Sequence, residues 1–187
     1  MIGLLRFAQE VQGFCLERDW RFCIIGGVAV QRWGQPRLTL DVDLTLLTGF
    51  GSEEAYVDAF LGRYPARIPD ARSFALQRRV QLLKSATGIG VDVALGGLPF
   101  EEAAIRRASD FEFLPGLSLR TCSAEDLVVF KAFASREIDW RDVESILIRQ
   151  RGKLDLAFVR RELAPLVELK GEPEILKRLE SLAAEVA

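Results

Sequence analysis

Two kinds of hydrophobic spacing divide the chain into an N-terminal and a C-terminal part. Up to residue 121, strand-like patterns alternate with helical ones, whereas helical spacing persists from residue 122 to the end. We therefore predict the α+β fold class, with a mixed β-sheet packed with helices over residues 1–121. A helical C-terminal region over residues 122–187 is expected to belong to the same compact unit.

Residues 37–47 show the clearest pattern, because polar and apolar residues alternate there from Arg37 to Leu46. A period of two predicts a strand with one buried and one polar face. Asp41 and Asp43 would then point the same way. Aspartate is uncommon in strands, and neighbouring like charges repel unless a cation lies between them. The pair therefore indicates a site for one or two divalent ions, although a solvated strand face has the same pattern.

The pair Gly26-Gly27 stands between a predicted strand over residues 22–25 and a predicted helix over residues 28–33. Another helix is predicted over residues 2–18. Glycine at a strand-to-helix turn lets a phosphate approach the backbone N–H groups closely. A tight turn that needs positive φ is the alternative interpretation.

A third carboxylate lies on a later strand. Residues 80–84 and 91–95 predict two strands joined by a turn. The valines on either side of Asp92 would share one face of the second strand, which puts Asp92 on the other face. With Asp41 and Asp43 on an adjacent strand, Asp92 would complete a three-carboxylate cluster. Such crowding of like charges is unfavourable without a metal ion.

Three polar residues are typical of helix starts. Ser52 precedes two glutamates, and Ser123 precedes Asp126 by three residues, which is the spacing of a capping box. Asp139 is predicted to cap the following helix, and any role in a site would come second. Residues 63–75 give no clear pattern.

The composition limits the chemistry that the chain can perform. Its 187 residues include no histidine and three cysteines, and the net charge is −2. The lack of histidine excludes Ser-His-Asp and Cys-His catalysis as well as histidine-bound zinc. The odd number of cysteines does not favour a disulfide framework, and no signal peptide is visible, so we expect a cytoplasmic protein. No apolar run approaches the ~20 residues of a membrane span, so no membrane partner is expected.

Taken together, the motifs resemble the nucleotidyltransferase superfamily that includes DNA polymerase beta. The resemblance is carried by a strand, Gly26-Gly27, a short helix, an Asp-x-Asp pair beginning 14 residues after Gly27, and the later Asp92. The runs at residues 25–29 and 37–44 look closer still to minimal bacterial members, the AbiEii type IV toxins and their relatives. Residues 124–131, with the segment that follows, resemble the lysine-bearing helix of that group.

This resemblance covers roughly residues 20–150 and implies a nucleotidyltransferase fold with Mg²⁺ or Mn²⁺ as cofactor. Asp41 and Asp43 would bind the metal, and Asp92 would be the third metal ligand and help to activate the attacking hydroxyl. These three residues would be the catalytic ones. The implied nucleotide-binding residues are Gly26, Gly27, Arg37, Thr39, Lys131 and Asp139.

Some positions depart from the family pattern or have another interpretation. Many members have Gly-Ser where this chain has Gly26-Gly27, so no serine hydroxyl is offered to the phosphates. Lys131 would contact the triphosphate, but a lysine on an amphipathic helix is also typical of a solvated surface. Four arginines could contact an RNA backbone or could simply form a solvated face. They are Arg67, Arg72, Arg78 and Arg79.

The expected function is metal-dependent transfer of a nucleotidyl group from a nucleoside triphosphate to an acceptor hydroxyl. By family likeness, the acceptor would be an RNA or tRNA end in a toxin–antitoxin setting, with an antitoxin protein as partner. A small molecule of the aminoglycoside type is the alternative acceptor. The rival class is a non-catalytic member that binds a nucleotide or a partner protein.

Overall fold

Six strands form one mixed sheet in the order β3-β4-β2-β1-β6-β5. The computed structural model describes residues 1–186. The strands are β1 (Phe22–Ile25), β2 (Asp41–Leu47), β3 (Val80–Lys84), β4 (Gly90–Gly96), β5 (Ser109–Leu114) and β6 (Leu117–Thr121). Pairing of β2 with β4 and of β1 with β6 is parallel, and the other three pairs are antiparallel.

Nine helices accompany the sheet within the described residues. They are α1 (Ile2–Leu16), α2 (Gly26–Trp33), α3 (Glu53–Arg63), α4 (Ala71–Arg78), α5 (Pro99–Arg107), α6 (Ala124–Ala134), α7 (Glu137–Arg149), α8 (Leu156–Lys170) and α9 (Glu174–Glu185). The predicted α+β class, with a mixed sheet packed with helices and a helical C-terminal region, is confirmed. None of these helices is long and apolar enough to cross a membrane.

The chain divides into two compact units. The first comprises residues 1–28 and 38–122 and contains every strand, and the second comprises residues 29–37 and the chain from Ser123 onward. Residues 29–37 were predicted to belong to the α/β part. They group with the helices because they bond to α7: the backbone N–H of Gln35, for example, donates to Ser145 Oγ at 3.1 Å.

The core of the first unit lies on one face of the sheet. Alternate residues of β2 and β4 are buried there together with one side of α1. From the two strands these are Val42, Leu44, Leu46, Val91, Val93 and Leu95. From α1 they are Leu4, Leu5, Phe7, Ala8, Val11, Phe14 and Cys15. The residues between them on β2 and β4 therefore point to the other face.

The strand predicted over residues 37–47 begins four residues later than expected. β2 starts at Asp41, which pairs with Gly90, the first residue of β4. Upstream of this pair, Leu38 and Leu40 are 73% and 74% exposed. The prediction was wrong there because the alternation alone does not show where the neighbouring strand begins.

The second unit is a packed set of helices in which α6 contacts α7, α8 and α9. The predicted cap of α6 is confirmed: Ser123 Oγ accepts a hydrogen bond from the Asp126 backbone N–H at 3.1 Å. It also donates to Asp126 Oδ2 at 2.7 Å. In contrast, Ser52 stands at the N-cap of α3, but its side chain makes no capping hydrogen bond.

We predict that Ser123→Ala lowers the free energy of unfolding by about 1 kcal/mol, because α6 loses the acceptor for one of its first N–H groups. Ser52→Ala is the matched control and should have much less effect, since that side chain caps nothing. Urea denaturation of both variants measures the difference. Equal losses of stability would contradict the assignment of Ser123 as the cap.

Candidate functional site

Three aspartates share one face of the sheet. Asp43 pairs directly with Asp92 across β2 and β4, and Asp41 lies two residues before Asp43 on β2. Residues that face each other on adjacent strands point to the same side, as do residues two apart on one strand. All three are partly buried. The valines next to them on the two strands, which are Val42, Val91 and Val93, are fully buried in the core.

The electrostatic environment of Asp92 includes the charges of the two other carboxylates. Burial raises the pKa of Asp92 to about 6, and the negative charges of Asp43 and Asp41 contribute to this rise. The guanidinium of Arg67 acts in the opposite direction but does not outweigh these effects. A bound cation would lower this pKa, because it favours the ionised carboxylate.

Helix α2 begins at Gly26, two residues earlier than predicted, and its first residues, Gly26 and Gly27, lie closely against Asp43. Gly26 has a φ of 60°, and a Cβ placed on it would lie 2.6 Å from the Asp43 Cβ and overlap its carboxylate. The next backbone N–H, that of Gly27, donates to Asp43 Oδ2 at 3.3 Å. Glycine at residue 26 is therefore required both for the positive φ and for the space that Asp43 occupies.

Thr39 explains why glycine also stands at residue 27. A Cβ on Gly27 would lie 2.7 Å from the Thr39 Cβ, so a serine there would collide with the threonine. The Thr39 hydroxyl donates to the backbone oxygen of Asp41 at 3.3 Å. Where the Gly-Ser pattern has a serine, this chain has Gly27, and the Thr39 side chain fills the space that a serine side chain would need.

Arg67 is a residue of this region whose place could not be foreseen from the sequence. Its Nη2 donates to Asp92 Oδ1, and both side chains are 29% exposed. The sequence grouped it with three other arginines, of which Arg72 pairs with Asp58 and Arg79 pairs with Glu53. Residues 63–75 have no periodic pattern, so no signal in the sequence placed Arg67 over the sheet.

The donor set suits a hard divalent cation, because Mg²⁺ and Mn²⁺ prefer carboxylate oxygens. Within residues 1–186, however, no three aspartate, glutamate or cysteine side chains are arranged as ready ligands. Asp92 is paired with Arg67, and Asp43 accepts the Gly27 N–H. An ion at Asp92 would therefore compete with the positive charge of Arg67.

The predicted Lys131, Asp139 and Arg37 belong to the helical unit, where they form a buried ionic network. Lys131 Nζ lies 2.8 Å from Asp139 Oδ1 and 2.9 Å from Asp142 Oδ2. Arg37 holds Asp142 through two hydrogen bonds of 2.7 Å, and Arg136 Nε donates to Asp139 at 2.6 Å. The lysine and the two aspartate side chains are at most 7% exposed. The surface alternative for Lys131 is therefore wrong.

The two buried carboxyls of this network are stabilised in their ionised form. Burial alone would raise the pKa of Asp139, but the hydrogen bonds from Arg136 and Lys131 outweigh it and hold that pKa below its usual value. Asp142 behaves alike, since the hydrogen bonds from Arg37 and Lys131 outweigh its burial and lower its pKa. The charges of the network therefore compensate one another.

The predicted cap position of Asp139 needs a correction. α7 begins at Glu137 with Arg136 at its N-cap, so Asp139 is the third residue of the helix. Its carboxylate accepts the Arg136 backbone N–H at 3.3 Å, as the acidic partner of a capping box does. The helix starts earlier than expected because Arg136, rather than an aspartate, provides the N-cap residue.

Solved structures show similar folds. The crystal structure of an antigenic nucleotidyltransferase-like protein from Paracoccidioides brasiliensis aligns with a TM-score of 0.52 and 16% identity, over 95% of this chain and 92% of that chain. The solution structure of the antibiotic-resistance factor ANT(2'')-Ia aligns with a TM-score of 0.51 and 20% identity, over 91% and 93% of the two chains. A crystal structure of ANT(2'')-Ia in complex with adenylyl-2''-tobramycin has a TM-score of 0.46 and 17% identity, over 98% of each chain.

The first two alignments show that the chain has the nucleotidyltransferase fold, which confirms the predicted fold. No protein-family model matches the sequence, and no curated protein matches it. The finer likeness to AbiEii toxins, and the roles of the site residues, stay predictions.

We predict that Lys131→Met lowers the free energy of unfolding by about 3 kcal/mol at neutral pH, because two buried carboxylates lose their shared ammonium. The lowered pKa values of Asp139 and Asp142 mean that this network stabilises the fold above about pH 4 and stops doing so as the pH falls below it. The stability difference should therefore shrink on acidification. Urea denaturation across this pH range measures it.

Lys177→Met is the matched control, since Lys177 is exposed and pairs with Glu174 at the surface. It should leave stability nearly unchanged. A Lys131→Met protein that keeps its stability but loses triphosphate binding would contradict the structural role and support the nucleotide-binding one.

Proposed function

We propose that this protein is a nucleotidyltransferase that moves a nucleotidyl group from a nucleoside triphosphate to an acceptor hydroxyl. In this reaction the acceptor oxygen bonds to the α-phosphorus. The bond from that phosphorus to the oxygen shared with the β-phosphorus breaks. Pyrophosphate leaves with the electron pair, and the hydroxyl proton passes to a base. The observation that supports the proposal most directly is the register of Asp41, Asp43 and Asp92 on one face of a nucleotidyltransferase-type sheet.

Asp41 and Asp43 would bind Mg²⁺ or Mn²⁺, with the triphosphate oxygens completing the ligand set. Such an ion neutralises phosphate charge and polarises the phosphorus for attack. The two carboxylates stand on one strand, about 6.6 Å apart at their Cα atoms from the usual rise of a strand, and so can reach a common ion. Gly26 contributes by leaving space for the Asp43 carboxylate.

Asp92 would be the third metal ligand and would accept the proton of the attacking hydroxyl. A general base works best when its pKa lies near the pH at which it operates. The raised pKa of about 6 leaves Asp92 ionised at neutral pH and yet more basic than an ordinary aspartate. Burial and the two neighbouring carboxylates thus raise the basicity of Asp92 in the metal-free protein, and a bound ion would offset part of this rise.

The remaining predicted residues differ in how well their surroundings suit nucleotide binding. Gly26 and Gly27, at the start of α2, lie beside Asp43, and Thr39 lies beside Gly27, so all three remain in the proposed nucleotide site. Arg37, Lys131 and Asp139 form the buried network of the helical unit, and we assign them a structural role there.

An RNA or tRNA end in a toxin–antitoxin setting is the acceptor that we propose, following the likeness of residues 25–29 and 37–44 to AbiEii toxins. An antitoxin protein would then be a partner. A small-molecule acceptor is the second candidate, because the fold is shared with the antibiotic-resistance factor ANT(2'')-Ia. A binding protein without transfer activity is the remaining alternative.

The test is incubation with each triphosphate labelled at its α-phosphate, with Mg²⁺ or Mn²⁺, and with either total RNA or aminoglycosides. We predict labelled RNA from the parent protein and none from the Asp41→Asn, Asp43→Asn double variant, which loses two metal ligands. The metal should also raise the melting temperature of the parent but not of the double variant, because it binds only the folded site. Labelled aminoglycoside would favour the second candidate, and triphosphate binding without any transfer would favour the binding protein.

We predict that Asp92→Asn affects rate more than affinity. The base acts only on the way to the transition state, so its loss should reduce transfer by ~100-fold or more while triphosphate binding stays within a few-fold of the parent. The substitution is nearly isosteric and removes a repulsive charge, so the fold should persist. Rates at saturating triphosphate, together with a binding titration, measure the two effects. Full transfer by folded Asp92→Asn would exclude the proposed role of Asp92.

A further inference from the structure

A guanidinium lies along the same sheet face as the three carboxylates. Arg67 donates to Asp92 through Nη2, and a Cβ placed on Gly90 would lie 2.8 Å from Arg67 Nη1. Gly90 is the partner of Asp41 in the register of β2 and β4, and the same Cβ would lie 3.3 Å from the Asp41 Cβ. The guanidinium therefore extends from the Asp41–Gly90 pair to Asp92, and the absence of a side chain at Gly90 leaves room for it.

The backbone around Arg67 fixes where this side chain begins. Ala66 forms an antiparallel bridge with Leu83, and the Arg67 N–H donates to the oxygen of Leu82 at 3.0 Å. These bonds place the segment along the outer side of the edge strand β3. Leu82, which accepts the Arg67 N–H, pairs with Asp92 across β3 and β4. The Arg67 side chain therefore extends past β3 to reach Asp92 on β4.

We propose that Arg67 is the counter-ion of the three-carboxylate site in its metal-free state, and that a divalent ion binds by displacing the guanidinium from Asp92. The proposal rests on the proposed function, because it takes Asp41, Asp43 and Asp92 as the metal ligands. The guanidinium is bonded to Asp92 Oδ1, and its positive charge lies beside the carboxylates that the ion would bind. The ion carries twice the charge and binds carboxylate oxygens at about 2.1 Å, so it offsets more of the repulsion among the carboxylates.

Two physical effects make Arg67 oppose ion binding until it moves. Its hydrogen bond to Asp92 must break, and its positive charge repels the incoming cation. In exchange, Arg67 stabilises the metal-free fold by offsetting part of the negative charge. Removing the guanidinium should thus raise the metal affinity and lower the stability of the metal-free protein. Removal of a residue with a purely structural role would not raise the metal affinity.

The experiment is a calorimetric titration of nucleotide-free protein with Mn²⁺ at pH 8, where Asp92 stays ionised. Arg67→Gln should bind Mn²⁺ at least about tenfold more tightly than the parent, which is the lower end of the scale of one charge-assisted hydrogen bond. It should also melt at a lower temperature in EDTA, and the gap to the parent should close at saturating Mn²⁺. Arg72→Gln is the matched control and should match the parent's Mn²⁺ affinity, because Arg72 pairs with Glu54 and Asp58 instead.

A measurement on the parent protein covers the case in which Arg67→Gln does not fold. The Arg67 side-chain NMR signal, assigned with Arg67→Lys, should move to the position of a solvent-exposed guanidinium when Mg²⁺ is added. A signal that stays unchanged at saturating Mg²⁺ would overturn the displacement.

The outcomes separate this inference from the proposed function. Unchanged or weaker Mn²⁺ binding by folded Arg67→Gln would overturn the inference alone, provided that the parent binds Mn²⁺ and the Asp41→Asn, Asp43→Asn variant does not. Binding by Arg67→Gln but not by the parent would support it strongly. Mn²⁺ binding that survives loss of both aspartates, or absence of binding by parent and Arg67→Gln alike, would overturn the proposed metal site and the inference together.

Discussion

Repulsion among Asp41, Asp43 and Asp92 is the constraint on which the first unit depends. Strand pairing forces their side chains to one face, because β2 and β4 run parallel with Asp43 opposite Asp92. The opposite face of the same strands forms the hydrophobic core, so a shift of one residue would bury the charges and expose the core. The core thus holds the carboxylates together in spite of their repulsion.

The groups nearest the carboxylates reduce this repulsion only in part. The Gly27 N–H and the Arg67 guanidinium each bond to one aspartate, and glycine at residues 26 and 90 makes room for these contacts. A side chain at either glycine would strike Asp43 or Arg67. The small residues around the site are therefore explained by the space that its charged groups occupy.

The sequence predicted those features that depend on residue type and period. Asp41, Asp43 and Asp92 were placed on one face because alternation along a strand fixes which way a side chain points. The start of a strand depends on where its neighbour begins to pair with it, and the alternation does not show this. Leu38 and Leu40 continue the alternation, but they lie before the paired segment and are exposed.

Long-range charge pairing was the other feature that the sequence did not reveal. Lys131 stands on a helix whose pattern does not show whether it faces solvent, and its burial depends on Asp139 and Asp142 of the next helix. Arg67 lies in a segment without period, and its partner Asp92 is 25 residues further along the chain. Neither pair has the spacing of neighbours on one helix or strand, which is the only kind of contact that a local pattern predicts.

The pKa of Asp92 on the sheet and those of Asp139 and Asp142 in the helical unit are shifted in opposite directions, and this difference bears on function. In the helical unit, lysine and arginine hydrogen bonds outweigh burial, so the pKa values of Asp139 and Asp142 are lowered and the carboxylates are already neutralised. On the sheet, burial and like charges outweigh Arg67, so the pKa of Asp92 is raised to about 6. A further positive charge would stabilise the sheet cluster, whereas the helical network already has its counter-ions. The proposed metal site therefore belongs with the aspartates whose charge Arg67 offsets only in part.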